Sequence, residues 1–464
     1  MQTGELTGYW WLPEQPDTQV AGTVRLGVAG DAELSLVGHF GDMNDLQTPS
    51  ELPSILGIAS GKLITLIECT RVGWNITIPG TATSTYHPKI TLLGAHVPSR
   101  QSLMFETASA SWGDLHAWTA TSGFSQELQV EGDRLVGLTV RYRTPAVVEA
   151  DIPGAHVRLA HGLQSQESNR EQITLREKVV MEVALEAPVD FEHLMEEYVS
   201  PLWNFVTFGV GQFVPLLSLT GTLSRPDELP GRRRVEVVFE PSNTVGERRT
   251  ISVREMLFTL ADLREDFSEF DFLDTWCRRQ KELTPVWNLY FATLSNPRMY
   301  VEQRFLSLAQ AAESYHRATN ARQILDVPHF GAIRQLLCAI IDGAQINASA
   351  ASALKSKFNY INEIPLKQRL GDLILSEEPL VHEVIPDTES FVRTVGNTRN
   401  YLTHYDQSLK ARAAHGMDLY ILSEQLQSLL QLVLLREAGF SSAKRAEIVR
   451  RQASRRVDQH AQRQ

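Results

Sequence analysis

Gly396-Asn397-Thr398-Arg399-Asn400-Tyr401-Leu402-Thr403-His404-Tyr405-Asp406 lies shortly ahead of Asp418–Glu437, the strongest helical pattern in the chain. That later helix has Asp418 at its start, leucines through its length and Gly439 just past its end, the marks of a helix start and stop. The quoted stretch reads as the opening of a short helix over Tyr401–Asp406, capped by Asn397 or Thr398 and packed on its apolar neighbour. Asn400 and His404 are i and i+4, so they share a face. Arg399 and His404 are five apart and stand about 140° from each other around an ideal helix. They converge if Arg399 wraps round the helix end, or if a second copy of the chain completes the site. The geometry favours a symmetric dimer with the two motifs facing each other.

Arginine and histidine suit one kind of chemistry. Cutting a phosphodiester beside a 2′-hydroxyl without a metal needs a base for the hydroxyl proton, an acid for the leaving oxygen, and positive charge for the transition state. Histidine serves the first two because its ordinary pKa lies near neutrality. Arginine serves the third because it stays charged and offers a fork of donors matched to phosphate. As a bare spacing of four to six residues between arginine and histidine the pattern is common, and Arg322…His329 and Arg455…His460 also fit it. The first crosses Val327-Pro328, where a continuous helix is disfavoured. The second lies in a polar tail.

Working outward, the helical period extends back to about Val253: Phe258–Leu263, Phe272–Arg279, Val286–Leu294, a long Arg298–Thr319, then Ile333–Ile341, Ala350–Asn359, Pro365–Leu375 and Thr388–Val395. Before it the chain reads as strands. Gly22–Val28 and Ala32–Val37 flank Ala29-Gly30-Asp31, and Ile55–Ala59 and Lys62–Cys69 flank Ser60-Gly61, both hairpin signatures. Lys89–Leu93, Leu103–Ala108, Leu115–Thr121, Leu135–Tyr142 and a long pair around Ile173–Leu185 follow. Asp190 caps a helix to about Phe208, strands return at Val214–Leu223 and Arg234–Phe239, and Arg225–Gly231 between them is turn-rich. The expected fold class is α+β: a β-rich, sandwich- or barrel-like region followed by an all-α helical bundle. The expected layout is a β-rich part over 1–250, a helical connector over 251–294 and a helical domain over 295–464.

With 464 residues the chain outgrows a single core. A net charge of −11 argues against a general polyanion binder, so any RNA contact needs a local basic surface. Cys69, Cys277 and Cys338 are scattered, with no C-x-x-C pair, and support neither a disulfide framework nor a zinc site. No metal or other cofactor is expected. The start, MQTGELTGYWWLP, has no basic segment ahead of an apolar one, and a cytoplasmic location follows by default. The uncharged run from Pro201 to Ser224 has the length of a membrane span, but Asn204, Gln212, Pro215 and its glycines favour a buried helix and a strand.

The run Thr398–Asp406 resembles the signature of the HEPN superfamily: arginine, a polar residue, three more residues, histidine. Glu302-Gln-Arg-Phe-Leu-Ser-Leu-Ala-Gln-Ala-Ala-Glu313-Ser-Tyr-His316-Arg317 resembles the first long helix of the ApeA-like branch. Gly8-Tyr-Trp-Trp-Leu12 and Val20-Ala-Gly-Thr-Val-Arg-Leu26 resemble that family's N-terminal domain, so the resemblance spans nearly the whole chain. It implies an antiphage protein acting by abortive infection, whose HEPN domains dimerise and cut RNA, tRNA being the candidate substrate, leaving a 2′,3′-cyclic phosphate. His404 then becomes the acid/base, Arg399 the phosphate ligand, and Asn400 the residue orienting either. Glu313 and Tyr405 are supporting positions. The N-terminal region would sense a phage-derived trigger or restrain the nuclease.

Other features carry plainer readings. His316 and Arg317 suit the polar face of an amphipathic helix. Lys444, Arg445, Arg450 and Arg451, with Arg455 and Arg456, form either an RNA-holding strip or a solvated helix. Arg232-Arg233-Arg234 reads as a loop entering a strand. Tyr9, Trp10, Trp11, Trp112 and Trp118 suit packing more than a ligand groove. Two further functions stay open: a catalytically inactive HEPN scaffold in a defence complex, and a carbohydrate module in the first half. The latter lacks a pair of carboxylates beside the aromatics.

Overall fold

The structure is a computed structural model that describes residues 4–28, 30–40, 51–76, 80–165, 171–224, 233–239, 251–267, 272–296, 298–358 and 360–461. The expectations for Ala29, Arg225–Gly231 and Arg232, and for the side chains of Arg233, Arg455, Arg456 and His460, lie outside the described residues. The chain divides into two compact units, 1–278 and 279–464.

In the first unit, β1 (Gly4–Trp11), β2 (Val20–Leu26), β3 (Ala32–Val37), β4 (Glu51–Ala59), β5 (Lys62–Ile76) and β6 (Ala82–Leu93) form an antiparallel barrel. The ring closes because β3 and β5 take opposite edges of β6, while β4 joins β5 to β1. Period-two alternation sends Val24, Leu26, Leu34, Leu36, Ile64 and Leu66 inward around Trp10. Gly57 is required here, since a Cβ would lie 2.3 Å from the Trp10 ring. The β4–β5 turn has Ser60 at φ 49° and Gly61 at φ 74°, the two left-handed residues of a tight hairpin turn.

The far half of β6, still paired with β5 on one edge, carries a second sheet on the other. There β14 (Arg233–Phe239) pairs on Ile90–Leu93, followed by β13 (Leu216–Leu223), β7 (Met104–Trp112), β12 (Leu175–Asp190), β11 (Ala155–Ser165) and β10 (Val148–Ile152). Among the described residues all of this is one twelve-stranded sheet, and only β8 (Phe124–Glu131) and β9 (Arg134–Tyr142) stand apart as a ribbon. The strand expected over Leu115–Thr121 is instead α1 (Leu115–Thr119). Leu115, Trp118 and Thr119 are the buried residues, at i, i+3 and i+4, a spacing that suits a helix and not a strand.

The Asp190 cap is observed, its Oδ1 accepting from the His193 amide at 2.8 Å. It starts α2 (Phe191–His193), which continues through a π-helical turn (Leu194–Val199) into α3 (Ser200–Val210), closed by Gly211 at φ 78°. The uncharged run therefore folds as most of α3 plus β13, and no helix among the described residues is long and apolar enough to cross a membrane. Helices α4 (Leu260–Asp266) and α5 (Phe272–Glu282) follow, and Phe205 and Phe208 pack on Phe258 and Trp276. Of the five aromatics singled out, Trp10, Trp11, Trp112 and Trp118 are buried and Tyr9 is exposed.

The β8–β9 ribbon is tied down at its base by one carboxylate. Glu177, with a side chain 2% exposed, accepts from His116 Nε2 (2.9 Å), His161 Nδ1 (3.1 Å), Ser122 Oγ (3.0 Å), the Gly123 amide and Tyr142 Oη. Burial pushes its pKa up, but the hydrogen bonds from His116, Ser122, Gly123 and His161 outweigh this and hold it below the ordinary carboxylate value. A depressed pKa contributes stability above the ordinary value that is lost as pH falls through the folded one.

In the second unit, α6 (Thr284–Ser295), α7 (Val301–Thr319), α8 (Val327–Gly343), α9 (Ala348–Lys357), α10 (Leu366–Ser376), α11 (Thr388–His404), α12 (Gly416–Glu437) and α13 (Ser442–Ala461) form the helical region. Helix α12 is apolar on most sides, with Leu426, Leu429, Leu430, Leu432, Val433, Leu434 and Leu435 buried. It packs on α7, whose Phe305, Leu308, Ala309, Ala311 and Ala312 are buried in turn. At one end Tyr315 donates to Glu437 (2.5 Å) and accepts from Arg436 (2.9 Å). Burial, with the Glu437 contact, pushes the phenol up to about 12.

Two measurements test these packing arguments. Gly57→Val should destabilise the chain by about 1–3 kcal/mol in denaturant unfolding, because the barrel cannot move the Trp10 ring aside; an unchanged midpoint refutes the contact. Amide protection across Phe124–Tyr142, relative to the intrinsic exchange rate at each pH, should fall as pH drops below the ordinary carboxylate range, and Glu177→Gln should lower it at neutral pH. Protection in the ribbon that ignores both changes would show that Glu177 does not hold it.

Candidate active site

The motif closes a helix instead of opening one. Thr388–Val395 and Tyr401–Asp406, expected as two segments, are joined in α11, capped by Asp387, which accepts from the Ser390 amide at 2.9 Å. Asn397 and Thr398 are buried inside the helix and do not cap it. Thr398 Oγ1 accepts from the Ala414 amide (2.9 Å), and Asn397 Oδ1 accepts from Lys367 Nζ on α10 (3.1 Å). Their side chains stitch α11 to neighbouring segments, so the helix has no reason to restart there. The break falls at Tyr405, whose φ of 53° is left-handed and whose amide bonds back to Tyr401 O at 2.8 Å.

This places His404 on the last position of α11, exposed, with no hydrogen-bond partner for its ring among the described residues. Asn400, also exposed, lies one turn earlier on the same face. Tyr405, 72% exposed, stacks on Tyr401 with ring centroids 5.9 Å apart, and Tyr401 meets His415 edge-on. Asp406 caps the next turn by accepting from the Ser408 amide and hydroxyl, and these bonds lower its pKa.

Arg399 turns the other way. Its Nη1 donates to Asn400 Oδ1 (3.3 Å), and its Nη2 lies 3.7 Å from Glu313 Oε2 on α7. The structure thus brings Arg399, Asn400 and Glu313 together, with His404 one turn beyond Asn400 at the end of the helix. Among the described residues no hydrogen bond joins the guanidinium to the imidazole.

Behind Glu313 lies a network that the sequence reading did not find. Arg317, four residues on, bonds Glu313 at 3.0 Å and also Glu363. Buried Arg369 donates from Nη1 to His316 Nδ1 (3.2 Å) and from Nε to Ile364 O (2.8 Å). A guanidinium only donates, so His316 accepts at Nδ1 and its Nε2 faces Asp372 Oδ2 at 3.0 Å. Burial, and the nearby charge of Arg317, push the Arg369 guanidinium below its ordinary value. His316 is therefore a buried core member and not part of a solvated face. The i, i+4 pair Glu313–Arg317 was a readable signal; Glu363, Arg369 and Asp372 come from other segments and had none.

The basic tail is also corrected. Lys444 and Arg445, expected on an RNA-holding strip, are buried: Lys444 Nζ donates to Glu447 (2.7 Å), and Arg445 pairs with Glu377, whose side chain is fully buried and also meets Arg436 at 2.6 Å. Arg450 reaches Glu383 at 3.2 Å and Arg451 lies 4.0 Å from Glu447. Helix α13 buries its first turn through these pairs, so the strip cannot present all four charges to a phosphate chain.

A β-barrel-bearing first unit followed along the chain by a helical unit that ends α11 on an arginine and a histidine is the layout of a HEPN-type protein, and the family models agree. Residues 306–444 match the family model for the Apea-like HEPN domain, and residues 5–272 match that for ApeA N-terminal domain 1. The chain belongs to the ApeA-like family, a defence-related family of HEPN nucleases. None of the curated proteins and none of the solved structures matches it.

Arg445→Ala should cost about 1–3 kcal/mol in equilibrium unfolding, since it leaves the buried Glu377 carboxylate with Arg436 as its remaining guanidinium. Arg450→Ala, at an exposed pair, should stay within about 0.5 kcal/mol. Equal effects would mean that the Glu377 pair does not stabilise the fold.

Proposed function

We propose that this chain is a metal-independent endoribonuclease of an antiphage abortive-infection system, with tRNA as the candidate substrate. The observation that carries the reading is the placement of half-buried Arg399 with exposed Asn400 and His404 at the end of α11, with Glu313 facing Arg399. In the reaction a 2′-oxygen attacks the adjacent phosphorus, its proton passes to one imidazole, and the 5′-oxygen leaves with a proton from an acid. The products are a 2′,3′-cyclic phosphate and a free 5′-hydroxyl. Arg399 neutralises the charge gathering on the phosphoryl oxygens, and Asn400 orients the phosphate or the ring.

Because Arg399 and His404 lie on different faces, a second protomer completes the arrangement. Across a two-fold axis, one His404 acts as base and His404 of the partner subunit as acid. Glu313 holds Arg399 until RNA phosphate displaces it. The first unit would receive the phage-derived trigger, and an open cleft of about 630 Å³ lined by Arg25, Asp31, Glu33, His87 and Lys89 is a place for it. The Arg399–Glu313 contact also favours a second reading, in which both residues only stabilise the helical unit and the domain is an inactive scaffold.

His404→Ala should reduce RNA cleavage by about 10²–10⁴-fold and abolish growth arrest on expression, with the same fold by circular dichroism. If wild type and His404→Ala arrest growth and degrade RNA equally, the imidazole has no part in the activity.

A further inference from the structure

Tyr405, the residue after His404, carries a large ring into solvent from a backbone that rarely holds one. A helix closed by a left-handed residue ordinarily takes glycine or asparagine there, and a bulky residue at φ 53° is an outlier. Its amide closes α11 on Tyr401 O at 2.8 Å, but its ring covers no core. What the ring does is stack. Tyr401 lies nearly parallel to it, with centroids 5.9 Å and planes 28° apart, and His415 meets Tyr401 edge-on at 5.4 Å. With 72% of Tyr405 exposed, the face turned away from Tyr401 is open. The aromatic ladder therefore ends on a bare π surface next to the candidate imidazole.

The cations beside it suit the same ligand. The short turn Gln407–Arg412 packs on α11, and the carbonyl of Lys410 accepts from His415 Nε2 at 2.9 Å, which ties the turn to the ladder. Lys410 and Arg412 are exposed, and neither forms an ion pair among the described residues; Arg412 donates to Ser408 O at 3.2 Å. By contrast, Arg304 is neutralised by Glu424 (2.6 Å) and Arg322 by Asp372 (3.2 Å). The Asp406 carboxylate is lowered first by its Ser408 bonds and then by the charges of Arg412 and His404, so it stands close to both side chains.

We infer that Tyr405 is a stacking platform for one unpaired base of a single-stranded RNA, with Lys410 and Arg412 neutralising the phosphates that flank it. An open ring beside uncommitted cations is what a single strand needs, since every base offers a π face and every nucleotide a charge. In a duplex those faces are covered by the neighbouring pairs and cannot reach the ring. Adjacent Cα atoms are about 3.8 Å apart, so a base seated on Tyr405 sets its own sugar-phosphate at His404. Selection then falls on the absence of pairing beside the scissile bond more than on the identity of the base. That the strand is RNA rests on the nuclease reading, whereas the stack and the uncommitted charges stand on geometry.

The test uses the full chain and a short, mixed-sequence 2′-O-methyl RNA strand, which cannot be cut because its 2′-oxygens are blocked. Wild type should bind the strand more tightly than the same sequence in a duplex. Tyr405→Ala should weaken strand binding about tenfold, and Tyr405→Phe, which keeps the ring, should restore it. Lys410→Gln combined with Arg412→Gln should lower the slope of log affinity against log salt by about 1.4, roughly 0.7 for each lost phosphate contact. Circular dichroism should be unchanged in each variant, since these exposed side chains support no core. A Tyr405→Ala chain that binds like wild type overturns the proposal. So does a wild type that holds the duplex as tightly or binds neither, or a salt slope indifferent to the two cations. The nuclease reading fails separately. A wild type that holds the strand through Tyr405 but leaves the matching 2′-hydroxyl strand whole keeps the stacking site and loses the cleavage. RNA cut by Tyr405→Ala with unchanged KM keeps the cleavage and loses the stacking site.

Discussion

A helix that is apolar on most sides must be enclosed, and α12 imposes that condition on the second unit. Its leucines face α7, α10 and α13 in turn, so none of these helices is free to choose its inward residues. Alanines on α7 let the two long helices approach, and the polar residues of α7 are pushed to the side where Glu313 and Arg317 stand. The charged network around Glu313 is thus located by packing it takes no part in. Burial of α12 also accounts for the ion pairs at its end, where Arg436 and Glu437 reach Glu377, Tyr315 and Arg279 instead of water.

The same logic explains the form of the motif. Helix α11 is held from both sides before its last turn, through Asn397 and Thr398, and is released only at Tyr405. The final turn is therefore fixed at its base and open at its tip. Such a tip is presented on a rigid support, so little ordering would remain to be done if a ligand met it. Arg399 and His404 are splayed by helical geometry alone.

Much of this was legible in the residues, and the parts that were not share a cause. The barrel hairpins showed through period-two alternation broken at Ser60-Gly61, and α12 through its leucines, because both signals are local. The helix over Leu115–Thr119 was missed because five residues with aromatics suit either period until burial decides between them. The start of α11 was misplaced because Asn397 and Thr398 look like caps. Whether their oxygens bond their own helix or Lys367 and Ala414 depends on segments far away in the chain. Lys444 and Arg445 looked like a basic strip for the same reason, since the carboxylate that neutralises Arg445 sits 68 positions upstream.

Strand β6 gives one edge to two different partners, its first half to β3 and its second to β14. The barrel and the sheet beyond it are for that reason not separable modules. A fragment ending after β6 would leave Ile90–Leu93 with an unsatisfied ladder and a bare apolar strip, an invitation to aggregate. Anyone trimming the gene to obtain the first unit alone must keep the segment that supplies β14, more than two hundred residues from where the barrel begins.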